Sequence, residues 1–246
     1  MGKGVKFGCS AIADLCLPRS CAHCQKMATL PNMSWCGPCW ENLPRISPPL
    51  CPGCGRPFLN ASASPDHHCG DCLERSFDFD SARSAVIHTG AVRTRVHQFK
   101  FGGQLKWAPC LAELLETAYL AWGLPAPDLI VPVPLHPQRL GQRGFNQAGI
   151  LARELGRRIK RPAFLGVLAR KNLTIPQVSL KRGERLKNVR GAFEILEGSS
   201  VRGRRVLLID DVFTTGTTLS ECAKVLKTKA GASEVHALTI TRALPD

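Results

Sequence analysis

Only the part of the chain after about residue 83 shows regular spacing of apolar residues. Runs that are apolar throughout, such as 206–209, are typical of parallel strands buried on both faces. Apolar residues three or four positions apart, such as Leu111, Leu114 and Leu115, predict amphipathic helices. The pattern predicts strands at 84–89, 128–134, 164–168, 205–210 and 235–241, and helices at 92–101, 105–122, 146–160 and 219–229. This alternation predicts an α/β fold, a parallel sheet with flanking helices.

Cysteine pairs dominate the region before this pattern begins. Eight of the twelve cysteines form four Cys-x-x-Cys pairs, with 11, 11 and 14 residues between successive pairs. The pairs are Cys21 with Cys24, Cys36 with Cys39, Cys51 with Cys54, and Cys69 with Cys72. Such spacing is typical of zinc ribbons, in which two pairs bind one tetrahedral Zn²⁺. Two structural Zn²⁺ sites are therefore predicted. Sequential pairing is the simplest assignment, and crossed pairing stays open.

Few large aliphatic residues separate these pairs, so metal binding would have to supply the folding free energy of the region. A disulfide framework is the alternative. It requires an oxidising compartment, and the first 17 residues make a poor signal peptide, so a cytoplasmic protein is expected. His23, His67 and His68 are interpreted as solvated loop residues. We expect a double zinc ribbon at 15–78 and the sheet domain at 83–246. Cys9, Cys16, Cys110 and Cys222 stay unassigned, with Cys222 expected in the core.

The chain is basic, with 33 Lys plus Arg against 19 Asp plus Glu and a formal charge of +14. Eight zinc-bound thiolates and two Zn²⁺ would lower this charge to about +10. A positive charge of this size can attract nucleic acid, anionic lipid or a polyphosphate substrate. No apolar run reaches the length of a membrane-spanning helix, so we expect no membrane insertion.

The most informative motif follows the apolar run at 206–209. Asp210 and Asp211 come directly after it, at the position where a parallel strand reaches the crevice of an α/β sheet. The next residues contain four threonines and Gly216, ahead of a predicted helix, and a helix N-terminus with close backbone approach suits a phosphate. Thr218 and Glu221 have the spacing of a capping box, which would fix the helix start without a ligand. Capping does not explain two adjacent, mutually repelling carboxylates.

Two further basic segments fit a phosphorylated ligand. The strand predicted at 128–134 ends in a turn that contains His136 and is followed by Arg139 and Arg143, where a second anion could bind. Residues 172–190 are rich in Lys and Arg without a sustained apolar period, which predicts a mobile basic loop. We interpret this loop as a cationic lid. A solvated run of charge is the alternative.

The motif resembles the phosphoribosyl pyrophosphate (PRPP) loop of type I phosphoribosyltransferases. The resemblance implies that Asp210 and Asp211 bind the ribose hydroxyls and act in catalysis. It implies that the following residues form the substrate-binding loop: Val212, Phe213, Thr214, Thr215, Gly216, Thr217 and Thr218. It also places Leu135, His136, Arg139 and Arg143 around the pyrophosphate, with Mg²⁺ bound together with PRPP.

Over nearly its full length the chain is similar to the ComF family. The similarity is carried, in order, by the four cysteine pairs, 99–102 (FKFG), 133–135 (VPL), 143–147 (RGFNQ), Thr174 with Gln177, Arg185 with Asn188, 191–193 (GAF) and the PRPP-like loop. The family joins a double zinc ribbon to a phosphoribosyltransferase-like domain and includes competence proteins for DNA uptake and GntX-like proteins. The extended N-terminus with Cys9 and Cys16 departs from the pattern.

Two functional hypotheses follow. The first is Mg²⁺-dependent transfer of the phosphoribosyl group of PRPP to an unidentified nucleophile, in a protein linked to DNA uptake and natural transformation. The second is a nucleic-acid-associated factor whose zinc ribbons and basic surface contact single-stranded DNA, or DNA-uptake and recombination proteins, while the PRPP site is regulatory or vestigial. Trp35 and Trp40 would be the ribbon's best platforms for base stacking.

Overall fold

The computed structural model describes residues 20–28, 33–58, 66–171, 191–196 and 201–244. The chain divides into two compact units, Met1–Leu43 and Pro44–Asp246. The described part of the first unit contains the cysteine pairs that begin at Cys21 and Cys36 and one short helix, α1 (Gly37–Glu41), which starts with Pro38 near its N-terminus. The predicted basic loop at 172–190 lies outside the described residues.

Four strands form a parallel sheet in the described part of the second unit, in the order β1-β6-β5-β2. The strands of this unit are β1 (Ser81–Ile87), β2 (Leu129–Pro132), β3 (Leu168–Arg170), β4 (Phe193–Ile195), β5 (Arg205–Phe213) and β6 (Glu234–Arg242). The helices are α2 (Gly70–Glu74), α3 (Gly90–Phe101), α4 (Ala108–Ala121), α5 (Pro137–Arg143), α6 (Gln147–Ile159) and α7 (Thr217–Thr228), with a 3₁₀ turn at Leu105–Trp107.

Both faces of the sheet are covered, as the apolar runs predicted. Val206 and Leu208 of β5 belong to a core cluster that includes the apolar side of α7. Ile130 of β2 lies on the other face, against Gly156 of α6. Helices α4 and α6 pack on each other and on the sheet. The predicted parallel sheet with flanking helices is therefore confirmed, and so is the core position of Cys222.

Several element predictions need correction. The strand predicted at 164–168 is instead β3, which pairs antiparallel with β4 in a separate two-stranded sheet. Its partner lies more than twenty residues further along the chain, so local periodicity carried no sign of this pairing. Helix α5 was missed because its seven residues have no buried face. Strand β5 runs on to Phe213, since β6 continues to pair with it beyond the acids.

The predicted capping box is also wrong. Helix α7 begins at Thr217 with Gly216 as its N-cap, and no described side chain caps it. The Glu221 carboxylate instead accepts a hydrogen bond from the backbone N–H of Gly191 at 2.8 Å. A long-range contact to the start of β4 has therefore replaced the local contact to Thr218.

The second group of cysteines lies in the same compact unit as the sheet. Cys51, Cys54 and Cys69 belong to the core cluster that covers one sheet face. The backbone N–H of Ala82 in β1 donates to the carbonyl of Gly53, between the first two of these cysteines, at 2.8 Å. The domain division at 78–83 stays a prediction. None of the described helices has the length and apolar content needed to cross a bilayer.

Candidate functional site

The acids of the motif lie where β2 ends and β5 continues. Pro132, the last residue of β2, pairs with Ile209, whose carbonyl oxygen then accepts a hydrogen bond from the backbone N–H of Val133 at 2.9 Å. Beyond this point β5 keeps β6 as its neighbour through Phe213. Asp210 and Asp211 therefore lie where the β2 side of the sheet opens, which is the usual ligand position in an open parallel sheet.

A cavity of about 510 Å³ occupies this opening. Its lining contains ten of the residues that the resemblance assigned to substrate or catalysis: Asp210, Asp211, Val212, Phe213, Thr214, Gly216, Thr218, Leu135, Arg139 and Arg143. Three assigned residues, His136, Thr215 and Thr217, are not part of the lining. The carboxylates therefore face a cavity of ligand size.

The two carboxylates have different partners. Asp211 is buried, and its two oxygens lie 2.8 and 3.1 Å from Nζ of Lys100. Burial opposes the charge of Lys100, but Asp211 and Asp210 raise its pKa. Asp210 accepts a hydrogen bond from the backbone N–H of Asp211 at 2.8 Å. Burial and the neighbouring Asp211 carboxylate raise the pKa of Asp210 to about 7.

The loop after β5 has the backbone of a tight anion cradle. Gly216 has φ +75°, and a Cβ at this position would lie 2.7 Å from the ring of Phe213. Thr215 and Thr217 are outside the lining, and their hydroxyls bond to each other at 2.9 Å. Thr218, in the first turn of α7, does line it. The free N–H groups of a helix's first turn favour anions, so this end of the cavity suits a phosphate.

The opposite wall comes from the turn after β2 and from α5. His136 caps α5, because its Nδ1 accepts a hydrogen bond from the backbone N–H of Gln138 at 3.2 Å. Arg143 ends α5, and its guanidinium lies 5.1 Å from the ring centre of Phe101. Burial lowers the pKa of Arg143, although Asp211 acts in the opposite direction.

Cavity residues outside the predicted set include Lys100, Gln147 and Arg170. Arg170 ends β3, is 8% exposed and lies over the ring of Phe193 in β4. Arg170 reaches the cavity because β3 pairs with β4, and no local pattern in the sequence indicated this pairing. Lys100 belongs to the 99–102 segment that carried part of the ComF resemblance, so that segment was the signal that could have identified it.

The other candidate sites are two groups of cysteines whose sulfurs lie within 4.8 Å of one another. Cluster A is Cys21, Cys24, Cys36 and Cys39, and cluster B is Cys51, Cys54, Cys69 and Cys72. The predicted sequential pairing is confirmed.

Contacts between the pairs fit a tetrahedral metal. The Cys24–Cys36, Cys51–Cys72 and Cys54–Cys69 sulfurs are 3.6, 3.5 and 3.6 Å apart. Four bonds of about 2.3 Å to one zinc would place sulfurs about 3.8 Å apart, so both donor sets fit Zn²⁺. Burial opposes ionisation of Cys51, but the backbone N–H groups of Cys54 and Cys69 lower its pKa to about 6. This lowered pKa favours the thiolate of Cys51, which is the form that binds metal.

One expectation about the ribbon is wrong. Trp35 is fully buried, so its ring is not a platform for base stacking, whereas Trp40 is half-buried. A bulky indole in a segment with little other apolar surface is used for packing.

Family models match two regions, a double zinc ribbon domain at residues 12–73 and a phosphoribosyl transferase domain at residues 140–244. Competence protein F of Haemophilus influenzae is 31% identical over 91% of this chain and 96% of its own length. DNA utilization protein YhgH of Salmonella typhi is 32% identical over 94% of this chain and its full length. Among solved structures, a purine phosphoribosyltransferase from Pyrococcus horikoshii is 17% identical, with a TM-score of 0.33 over 56% of this chain and 83% of that one.

Proposed function

The chain belongs to the ComF family, and we propose that it binds PRPP together with Mg²⁺ and transfers the phosphoribosyl group to an unidentified nucleophile. One observation carries the proposal. Asp210 and Asp211 share a cavity with a helix N-terminal loop on one side and Arg139 and Arg143 on the other. PRPP has the matching order of groups, a 5-phosphate, two ribose hydroxyls and a pyrophosphate.

The charges of the cavity favour such a ligand. Lys100, Arg139, Arg143 and Arg170 line it against two carboxylates, so its basic residues outnumber its acids. This excess of positive charge attracts a polyanion, and the attraction is stronger than in bulk water because the cavity walls are partly buried. The 5-phosphate would lie at residues 214–218 and the pyrophosphate near Arg139 and Arg143. The ribose would span the distance between them, over Asp210 and Asp211.

Magnesium fits the same donors. Carboxylates together with phosphate oxygens are the ligands that Mg²⁺ prefers, and Asp210 and Asp211 are the acids of this cavity. Bound with the pyrophosphate, Mg²⁺ would neutralise charge on the leaving group. The positive charge of Lys100, whose Nζ lies 2.8 Å from Asp211, balances the buried carboxylate.

In the proposed reaction, the bond between C1 of the ribose and the pyrophosphate oxygen breaks, and its electron pair leaves with the pyrophosphate. The acceptor donates an electron pair to C1 and loses its proton if it carried one. The sugar acquires oxocarbenium character between these events. Asp210 and Asp211 then stabilise positive charge on the ribose, while the arginines stabilise negative charge on the pyrophosphate.

The relatives point to the cellular process. Their names, Competence protein F and DNA utilization protein, refer to DNA. We propose that the present chain acts in the same area, the uptake or use of DNA. The cytoplasm is the proposed compartment, because none of the ten described cysteines forms a disulfide and eight of them are grouped as candidate metal ligands, and such thiols persist under reducing conditions.

A second candidate function is direct contact with nucleic acid. A groove of about 740 Å³ along α6 is lined by Arg153, Arg157, Lys160 and Arg161, together with Leu105 and one carboxylate, Glu154, which pairs with Arg157. These four basic side chains are exposed. Such a surface would bind phosphate backbones, with an affinity that falls steeply as salt rises. Its specific test is Arg153→Ala with Lys160→Ala, measured by DNA titration at two salt concentrations.

Calorimetry tests the main proposal. Wild type should bind PRPP with Mg²⁺, and the Asp210→Asn, Asp211→Asn double variant should bind it at least about a hundredfold more weakly, because it loses two charge-assisted contacts. The matched control is Arg205→Ala at the opposite end of β5, which should bind as wild type does. A pyrophosphate-release assay with candidate bases and nucleic acids then tests turnover. Equal affinity in wild type and the double variant would refute the site.

A further inference from the structure

The segment that leaves cluster B contacts the phosphate loop, defined as residues 214–218. Arg75 is the C-cap of α2, three residues after the cluster B ligand Cys72. Its Nη2 donates a hydrogen bond to the carbonyl oxygen of Thr215 at 3.1 Å. The guanidinium also lies 5.0 Å from the ring centre of Phe77. One side chain therefore connects the helix that carries Cys72 of cluster B to the backbone of the loop.

The next residues of the segment reinforce this contact. Phe77 packs against the loop so closely that a Cβ on Gly216 would lie 3.0 Å from its ring. Ser220, in the first turns of α7, donates its hydroxyl to the Asp78 carboxylate at 2.8 Å. The same hydroxyl oxygen accepts a hydrogen bond from the backbone N–H of Asp78 at 3.0 Å. The segment therefore contacts the loop at Thr215 and Gly216, and it contacts α7 just after the loop at Ser220.

The other half of cluster B reaches the loop by a second route. Arg242, at the end of β6, donates to the carbonyl oxygen of Cys54 at 2.7 Å and to its sulfur at 3.4 Å. The Arg242 guanidinium lies 4.2 Å from the ring centre of Phe213. That ring is the nearest neighbour of Gly216. Arg242 is 5% exposed, so this link is buried.

A metal would be the common anchor of the two routes. The Cys51–Cys54 half is fixed to the sheet, because Ala82 and Arg242 hydrogen-bond its backbone. The other half continues into α2, a helix of five residues. Helices this short do not persist alone in water. Bonds from one zinc to both halves would therefore hold α2, and Arg75 with it, against the sheet.

We propose that zinc in cluster B holds the phosphate loop in its binding shape and that Arg75 is the positioning residue through which it acts. The inference rests on the proposed function only for the identity of the ligand. Without zinc, Arg75 loses its fixed location and the Thr215 carbonyl loses its donor. The loop then samples more conformations, and a phosphate ligand must order it at a cost in affinity.

The first experiment uses hydrogen–deuterium exchange of the loop amides, which needs no ligand. In Arg75→Ala, amides of residues 214–218 should exchange about tenfold faster than in wild type, while those of β5 and β6 keep their protection. Arg75→Lys retains a cation that can reach the carbonyl and should recover most of the protection. Arg205→Ala, an arginine at the other end of β5, is the matched control and should leave the loop unchanged.

The second experiment removes one metal at a time from the full chain. Cys69→Ser with Cys72→Ser should lower the zinc content by one per chain and accelerate loop exchange. Cys21→Ser with Cys24→Ser removes ligands of the same chemistry from cluster A, in the other compact unit, and should leave loop exchange unchanged. Protection of β5 and β6 reports whether the sheet of each variant is folded. Arg75→Ala tests the link with both metals present.

Binding of PRPP with Mg²⁺ completes the test. If the loop is positioned as proposed, Arg75→Ala should weaken binding about tenfold, with Arg75→Lys in between. Loop exchange that is unchanged in Arg75→Ala would overturn the inference, whatever the ligand does. Faster loop exchange in a protein whose wild type does not bind PRPP would support the inference and refute the proposed function. The two failures are therefore distinguishable.

Discussion

Asp210 and Asp211 are neighbours in the chain but differ in their electrostatic surroundings. Lys100 pairs with both oxygens of Asp211, so that the charge of this carboxylate is balanced before any ligand arrives. Asp210 is next to that carboxylate, and burial together with the neighbouring charge raises the pKa of Asp210 to about 7. One acid of the pair is therefore paired, and the other ionises near neutral pH.

This difference predicts a pH dependence of ligand binding. Magnesium and ribose hydroxyls favour the ionised form of Asp210, so the proton must leave before or during binding. Below pH 7 the protonated form dominates and binding weakens, and above pH 7 that penalty disappears. The affinity for PRPP with Mg²⁺ should therefore be about tenfold higher at pH 8 than at pH 6, measured by calorimetry.

The phosphate groups of PRPP also ionise in this range, so the control is Asp210→Asn. This variant lacks the titrating group and should show a smaller slope of affinity against pH, which belongs to the ligand alone. The same slope in both proteins would contradict the role given to Asp210.

At the scale of elements, the turn between β5 and α7 has a demanding geometry. Gly216 has φ +75°, in the left-handed region, and lies against Phe213 and Phe77. Gly203, in the turn before β5, has φ +68°, and among the described residues other than its two chain neighbours no atom lies within 4 Å of the place that a Cβ would occupy there. Both glycines have a left-handed backbone conformation that disfavours other residues, and they differ in their contacts, so they form a natural pair for comparison.

Substitution of each glycine by alanine separates strain from contact. Gly203→Ala should lower the free energy of unfolding by about 1 kcal/mol, the cost of a non-glycine residue in this region. Gly216→Ala should cost about 2–3 kcal/mol, because its methyl group also displaces two rings. Denaturant unfolding measures both, and only Gly216→Ala should weaken phosphate binding. If both variants lost the same free energy of unfolding, the rings of Phe213 and Phe77 would move to make room for the methyl group at no energetic cost, which would contradict this prediction.

Some helices and strands could be predicted from the amino-acid sequence, and others could not. Strand β5 and helices α4, α6 and α7 have apolar periods of their own, so their positions follow from local spacing. The exposed helix α5 and the β3–β4 pair have no such period. Their formation depends on capping by His136 and on strand pairing across the 172–190 segment, neither of which is a property of a short window.

At the scale of the whole molecule, the two cysteine clusters differ in burial. Three ligands of cluster B are buried, against two of cluster A. Cluster B also belongs to the large unit that contains the sheet, and Arg242 covers one of its sulfurs. Two zinc sites of the same chemistry are therefore expected to differ in how readily a competitor reaches them.

Zinc release should reveal this difference. Mass spectrometry of the intact protein should find two zinc ions per chain. A chelating dye should take them in two phases, and the fast phase should belong to cluster A. Cys21→Ser with Cys24→Ser should remove the fast phase and keep the slow one. Loss of the slow phase in that variant, or a single phase in wild type, would contradict the assignment.

The amino-acid sequence alone determined the features that depend on short spacing. The four cysteine pairs and the strand, acids, loop and helix of the phosphate motif are all encoded within windows of a few tens of residues. The spacing favoured sequential pairing of the cysteines, and the structure decided between sequential and crossed pairing. Neighbours in the chain are close in space whatever the rest of the fold does, so local rules suffice for them. The roles of individual site residues stay predictions from the resemblance.

Only the tertiary structure decided which distant residues share a surface. It brought Lys100 to Asp211, although 111 positions separate them in the chain. It buried Trp35, and it connected cluster B to the phosphate loop through Arg75 and Arg242. The contacts of Lys100, Arg75 and Arg242 result from the joint packing of the sheet, its helices and the second cysteine cluster, whereas Trp35 is buried in the other compact unit. No periodicity of a single element encodes them, because each depends on where another element lies.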